Sequence, residues 1–204
     1  MSLNKIDCVF LVVSSSKKTY QNLSETYSAI EPPTWALLLA QSTRSAGFNV
    51  TILDANAERL NEEEIYIRLK EINPRLICLV TYGQNVNTGT TIMSGATHIS
   101  RFLKEKKINQ KICIIGSHVQ ALPKETLEKE KSIDFVFTNE GVYAIQNVLK
   151  LKNFNSTEFE NVKGIAFRLS GDKVKINPPE KVVPNERMDT DLPGYAWDLL
   201  PYKN

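Results

Sequence analysis

Along the first 150 residues, short apolar runs alternate with stretches whose apolar positions recur at helical spacing. The runs CVFLVV, LICLV and ICII are nearly continuous, as expected of strands buried on both faces of a parallel sheet. They predict strands at 7–13, 49–54, 76–82, 111–115 and 135–138. Helices are predicted between and after them, at 34–46, 62–71, 90–106, 124–130 and 142–149. Boundary residues agree. Gly47 follows the first helix, Asn61 can cap the second with Glu64 at its third position, and Pro74 follows that helix. Pro123 stands where a first-turn proline is tolerated.

Repeated strand–helix units make an α/β fold: a doubly wound, five-stranded parallel sheet of Rossmann or flavodoxin type, covered by helices on both faces. Such a sheet binds ligands beyond the carboxyl ends of its strands, near the point where strand order reverses. Past Lys150 the period changes. Residues 164–169 and 173–177 alternate apolar and polar around Ser170-Gly171-Asp172, a C-terminal β-hairpin. A proline-bearing extended linker follows, and the chain closes with Trp197, Leu199 and Leu200, which need a surface to pack on. The expected division is an α/β domain at 1–150 and a hairpin with linker at 151–204.

Composition narrows the class. The 204 residues are 42% hydrophobic, enough for a substantial core. Twenty-five basic and 23 acidic residues are interleaved, for a net charge of +2, and no basic stripe points to nucleic acid. The longest apolar runs, 8–13 and 35–40, are far below the roughly 18–20 residues that span a bilayer. No secretory leader is evident at the N-terminus, so the expectation is a cytoplasmic protein without a membrane partner. Cys8, Cys78 and Cys113 each sit inside a strand-like run with no CxxC spacing, so they read as packing residues in a reducing compartment.

The candidate chemistry lies at the strand ends. After the first strand come Ser14, Ser15, Ser16, Lys17, Lys18 and Thr19, opening a polar segment that reaches Pro32-Pro33. That is roughly twenty residues, against about 2–6 for an ordinary loop of this kind, and suggests part of a pocket. Without glycine it is neither a Walker A loop nor a dinucleotide fingerprint. The third strand ends in Thr81, Tyr82, Gly83, Gln84 and Asn85, a gathering of hydroxyl, phenol and amide groups that turn chemistry alone does not explain. The fourth ends in Gly116, Ser117 and His118, two small residues that leave room for a ligand segment and one imidazole. The fifth ends in Thr138, Asn139, Glu140 and Gly141, which suit either a helix cap or hydrogen bonds to a heterocycle or ribose. A phosphoreceiver would need acidic residues after strands one and three and a lysine after strand five. Ser14-Ser15, Thr81 and Asn139 stand there instead.

Taken in order, EPPTWALLLAQSTRSAGFNVTILDANAE, INPRLICLVTYGQN, IIGSHVQALPKETL and DFVFTNEG resemble the N-terminal cobalamin-binding domain of B12-dependent radical SAM enzymes. The hairpin and LPGYAWDLLP resemble the segment joining that domain to the radical SAM barrel. The resemblance implies cobalamin (B12) as cofactor, held by residues 81–85, 116–118 and 139–141 and by the serine-rich segment. It implies that Gly116 lines a slot for the nucleotide tail. Cobalamin folds commonly place a DxHxxG histidine after strand one. Here SSSKKT stands in its place, which implies cobalamin without protein histidine ligation of the cobalt. The family's CxxxCxxC, which holds the [4Fe–4S] cluster that cleaves S-adenosylmethionine, occurs nowhere in the chain. The chain is therefore expected not to be catalytic alone. It reads as the cofactor module of a methyltransferase-type enzyme with a downstream radical SAM domain. A free-standing cobalamin carrier or sensor, or a domain for another flat heterocycle or nucleotide, are the alternatives.

Overall fold

The computed structural model describes residues 5–13, 30–83 and 86–201. Strands β1 (Cys8–Val12), β2 (Val50–Asp54), β3 (Leu76–Val80), β4 (Lys111–Ile115) and β5 (Phe135–Phe137) pair in parallel in the order β2-β1-β3-β4-β5. The five strands predicted from the apolar runs are all present, a residue or two shorter at some ends. The hairpin is β6 (Ile165–Arg168) and β7 (Val174–Ile176). It continues the same sheet, because β6 lies antiparallel beside β5 with Phe135 opposite Phe167. The result is a seven-stranded mixed sheet. The hairpin turn is a short 3-10 segment, Ser170–Asp172, with Gly171 at φ +75°.

Alternation along each strand divides the core between the two faces. Phe10, Cys78, Ile115, Phe135 and Phe167 face one way, under helices α1 (Thr34–Ser45) and α6 (Val142–Leu149). Val9, Leu11, Ile77, Leu79, Ile114 and Val136 face the other, with α2 (Glu62–Ile72), α3 (Val86–Glu105), α4 (Ser117–Ala121) and α5 (Pro123–Lys129). Cys8, Cys78 and Cys113 are free, wholly buried and on the α1/α6 face, in keeping with packing. Burial pushes the Cys8 and Cys113 thiols up. Among the described residues no group of His, Cys, Asp or Glu could hold a metal ion, and no helix is long and apolar enough to cross a membrane.

The sequence signals for helix ends are realised. Asn61 and Glu64 form a reciprocal capping box on α2, and Pro123 occupies the first turn of α5. Two short helices carry no readable period: α4, and α7 (Ser156–Phe159), whose cap is Asn155. Beyond β7 the chain turns back along the α1/α6 face. Val183 and Ala196 are buried there, and Leu192, Leu199 and Leu200 pack against the core. The Ser42 hydroxyl donates to the Asp191 carbonyl, the Tyr143 hydroxyl to the Asp191 carboxylate, and Arg44 pairs with Asp198 at 2.6 Å. The closing apolar residues thus find their surface on the domain itself, apart from Trp197, which stays 47% exposed.

Candidate functional site

Strand order reverses between β1 and β3, so the crevice for a ligand lies beyond their carboxyl ends. Ser14, Ser15, Ser16 and Thr19, and likewise Gln84 and Asn85, lie outside the described residues. The rest of the predicted site can be placed.

Thr81 follows β3 directly and is wholly buried. Its backbone N–H and its hydroxyl both donate to the Ile115 carbonyl, at 2.8 and 3.1 Å. The hydroxyl is thus a tie between the ends of β3 and β4. Gly116 answers to the same tie. A Cβ at Gly116 would stand 2.0 Å from Thr81 Oγ1 and 2.9 Å from the Thr81 backbone. Such a side chain would run into Thr81, so close packing of the two strand ends by itself requires the glycine. Ser117 opens α4 beside Gly89 of α3, where a Cβ would come within 2.3 Å of Ser117 Oγ. Small residues at 89, 116 and 117 therefore serve a close approach of α3 and α4 to the end of β3. His118 turns away, into a groove of about 290 Å³ between α3 and α5 that also holds Glu125 and Lys129. The second histidine, His98, lies on α3 with Glu62 at 3.7 Å.

Asn139 and Glu140 have partners in the linker. Asn139 Oδ1 accepts the Gly141 N–H at 3.0 Å and its amide donates to the Glu180 carbonyl at 3.0 Å. Glu140 accepts the Val183 N–H at 2.7 Å. Gly141, at φ +85°, starts α6 with its Cα side against Ile115, where a Cβ would be 2.1 Å from Cδ1. No side chain caps α6, whose N-cap is Gly141; Asn139 closes a turn onto the Gly141 N–H, and with Glu140 it forms a strap that fixes residues 180–183 over the end of β5.

Tyr82 is different. It is half-buried, its ring stacks on Trp35 with centroids 4.4 Å apart and planes at 26°, and the Gln120 amide donates to its phenolic oxygen. Burial pushes its pKa above the usual phenol value, and the nearby Glu140 carboxylate pushes it further, against the Gln120 hydrogen bond. Tyr82, Gly83, Gln120, Glu140 and Trp35 thus gather at the carboxyl ends of β3 to β5. The sequence reading missed Trp35 and Gln120. Trp35 was discoverable, because it follows Pro32-Pro33 at the start of α1, and α1 begins at the ligand edge. Gln120 was not, since α4 leaves no period to read.

Known proteins were compared with this chain. The sequence matches the B12 binding domain family over residues 23–149, more than half of its length. It is 25% identical over 170 residues to an uncharacterized methyltransferase of Pyrococcus horikoshii, covering 83% of this chain and 34% of that protein. It is 27% identical over 173 residues to the anaerobic magnesium-protoporphyrin IX monomethyl ester cyclase of Synechocystis sp., covering 84% and 32%. The chain therefore spans about a third of the length of these curated relatives. Its fold is shared with the cobalamin-dependent S-adenosylmethionine radical enzyme OxsB, solved with aqua-cobalamin and S-adenosylmethionine bound (TM-score 0.62, 17% identity, 93% of this chain and 25% of that one). It is shared equally with the radical S-adenosylmethionine methyltransferase TsrM of Kitasatospora setae, solved with tryptophan and an S-adenosylmethionine analogue (TM-score 0.62, 12% identity, 85% and 30%). With the strand order, the reversal point and the family match in agreement, this chain belongs to the B12 binding domain family.

Proposed function

We propose that the chain is the cobalamin-holding module of a B12-dependent radical SAM enzyme of methyltransferase type, and that residues after 150 lead toward its radical SAM domain. The family match over residues 23–149 carries this reading. The relatives named for methyl transfer and for cyclisation, each about two and a half times the length of this chain, support the larger assembly. Because CxxxCxxC is missing from the sequence, the [4Fe–4S] cluster and S-adenosylmethionine belong to that other domain.

The donor set fits the cofactor. Among residues 81–83, 116–118 and 138–141, Thr81, His118 and Asn139 are engaged elsewhere, the phenol of Tyr82 and the carboxylate of Glu140 stand at the strand ends, and none is a lysine or arginine. A phenol that donates and a carboxylate that accepts suit the neutral amides of a corrinoid. Bound cobalamin would supply a cobalt centre able to carry a methyl group. Tyr82, Gly83 and Glu140, with the serine-rich segment and residues 84–85, would hold the corrin and its tail at the reversal point. Ser117, His118, Asn139 and Gly141 shape the same sheet edge. The two histidines of the chain support cobalt without a protein imidazole, because His118 lines the α3/α5 groove and His98 sits on α3 beside α2.

Mixing with hydroxocobalamin is the test. A shifted visible spectrum that survives gel filtration is expected, and an unchanged spectrum with all corrinoid in the small-molecule fraction would exclude the module. After reduction to the cob(II)alamin form, electron paramagnetic resonance should give the same spectrum with ordinary and ¹⁵N-labelled histidine. A label-dependent change in the nitrogen splitting would show a histidine on cobalt.

A further inference from the structure

We infer that Tyr82 donates its phenolic hydrogen to a neutral carboxamide carbonyl on the rim of the corrin, with Trp35 and Gln120 as positioning residues that hold the ring for it; this rests on the cobalamin reading above. Tyr82 leaves β3 beside the reversal point and is half-buried there. Trp35 fixes the plane of the ring by stacking, and Gln120 fixes its tip by donating to the oxygen. A phenolic oxygen that accepts one hydrogen bond still has its own hydrogen to place. Among the described residues nothing accepts it. Tyr82 follows β3 beside the crevice in which the ligand is expected, so a ligand there can take this hydrogen, and leaving it unmet in a filled site would be costly.

The surrounding charge selects the acceptor. Glu140 lies near enough to raise the phenol's pKa, and no cation stands among the residues that end β3, β4 and β5. An anionic acceptor at the phenol would meet the Glu140 carboxylate, with no lysine or arginine among the described residues that end these strands. Cobalamin offers both kinds of group, a phosphodiester in its nucleotide tail and several carboxamides around the corrin. Only the carboxamides are neutral, so the corrin rim is the matching part.

The experiment titrates the parent chain and Tyr82→Phe with hydroxocobalamin and with cobinamide, the corrinoid without the nucleotide. Phe keeps the stack on Trp35 and loses only the hydroxyl. Affinity for both corrinoids should fall by a similar factor, about 5- to 50-fold for one unmet buried donor–acceptor pair. The thermal melt should match the parent. Gln120→Met frees the tip of the ring and should weaken both corrinoids by a smaller, again similar, factor. If Tyr82→Phe melts early, Gln120→Met carries the test, and an unchanged affinity there overturns the inference. Equal affinity of Tyr82→Phe and parent overturns it as well, while leaving the cobalamin reading intact. A loss confined to cobalamin, or a parent that holds cobalamin and not cobinamide, moves the contact to the tail and overturns the carboxamide. A parent that binds neither corrinoid removes the cobalamin reading, and this inference with it.

Discussion

Gly116→Ala is expected to lower the melting temperature by about 5–10 °C, the outcome of roughly 2–3 kcal/mol of overpacking in a chain of this size. The added Cβ has nowhere to go. It would sit 2.0 Å from Thr81 Oγ1, and the Thr81 backbone carbon and oxygen, both at 2.9 Å, cannot rotate aside. Relief requires β3 and β4 to separate at the point where Thr81 bonds to Ile115. Conformation is not the issue, because the backbone at Gly116 is extended (φ 162°, ψ 168°) and open to any residue. Gly47 makes the contrasting control. It meets nothing within 4 Å but holds φ +93°, so alanine there should cost about 1–2 kcal/mol through backbone strain alone. A cycle separates the two mechanisms. Thr81→Ala removes the nearest clashing atom and should rescue part of Gly116→Ala, leaving the 2.9 Å backbone contacts, while it should do nothing for Gly47→Ala. A Gly116→Ala protein that melts with the parent would mean that the two strand ends are not joined in this way.

The parallel part of the sheet was legible because its strands are buried on both faces, and continuous runs such as LICLV have no other economical explanation. The attachment of the hairpin was not legible. Residues 164–177 read equally well as a separate ribbon, and only the pairing of Phe135 with Phe167, thirty-two positions apart (167 − 135), places them in the sheet. The candidate site divides in the same way. Strand ends mark where chemistry gathers, so Thr81, Tyr82, Gly116 and Glu140 were found in sequence. What each does depends on partners from elsewhere in the chain. Thr81 and Gly116 serve each other, and Asn139 and Glu140 hold residues 180–183. Tyr82 is the residue whose partners, Trp35 and Gln120, leave a donor over. Small or polar residues at a strand end are required by close packing as readily as by a ligand, and the sequence does not distinguish the two.

Asp134→Asn should destabilise the fold at neutral pH by about 1–3 kcal/mol and also change how stability responds to acid. Asp134 immediately precedes β5, at the end of the sheet opposite the ligand edge. Its carboxylate accepts from Lys104 Nζ at 2.8 Å, Lys111 Nζ at 2.9 Å and the Ile112 N–H at 2.8 Å, drawing α3, β4 and β5 together. The side chain is 16% exposed, and burial taken alone would raise its pKa. The hydrogen bonds from Lys104, Ile112 and Lys111, with the Lys104 charge, outweigh burial and hold the carboxyl below the usual range. A pKa lower in the folded than in the unfolded chain means that the unfolded chain takes up the proton first. The stabilisation is therefore whole above about pH 4, the unfolded value for aspartate, and is lost as pH falls through the folded value. Asn cannot titrate and keeps only a neutral acceptor. Denaturation curves collected from neutral to acidic pH should show the parent losing stability faster than Asp134→Asn below about pH 4, so that the gap between them narrows. Cobalamin affinity at neutral pH should be the same for both, since the cluster and the crevice lie at opposite ends of the strands. Parallel stability profiles across that range would mean that the Asp134 carboxylate gains nothing from its two lysines.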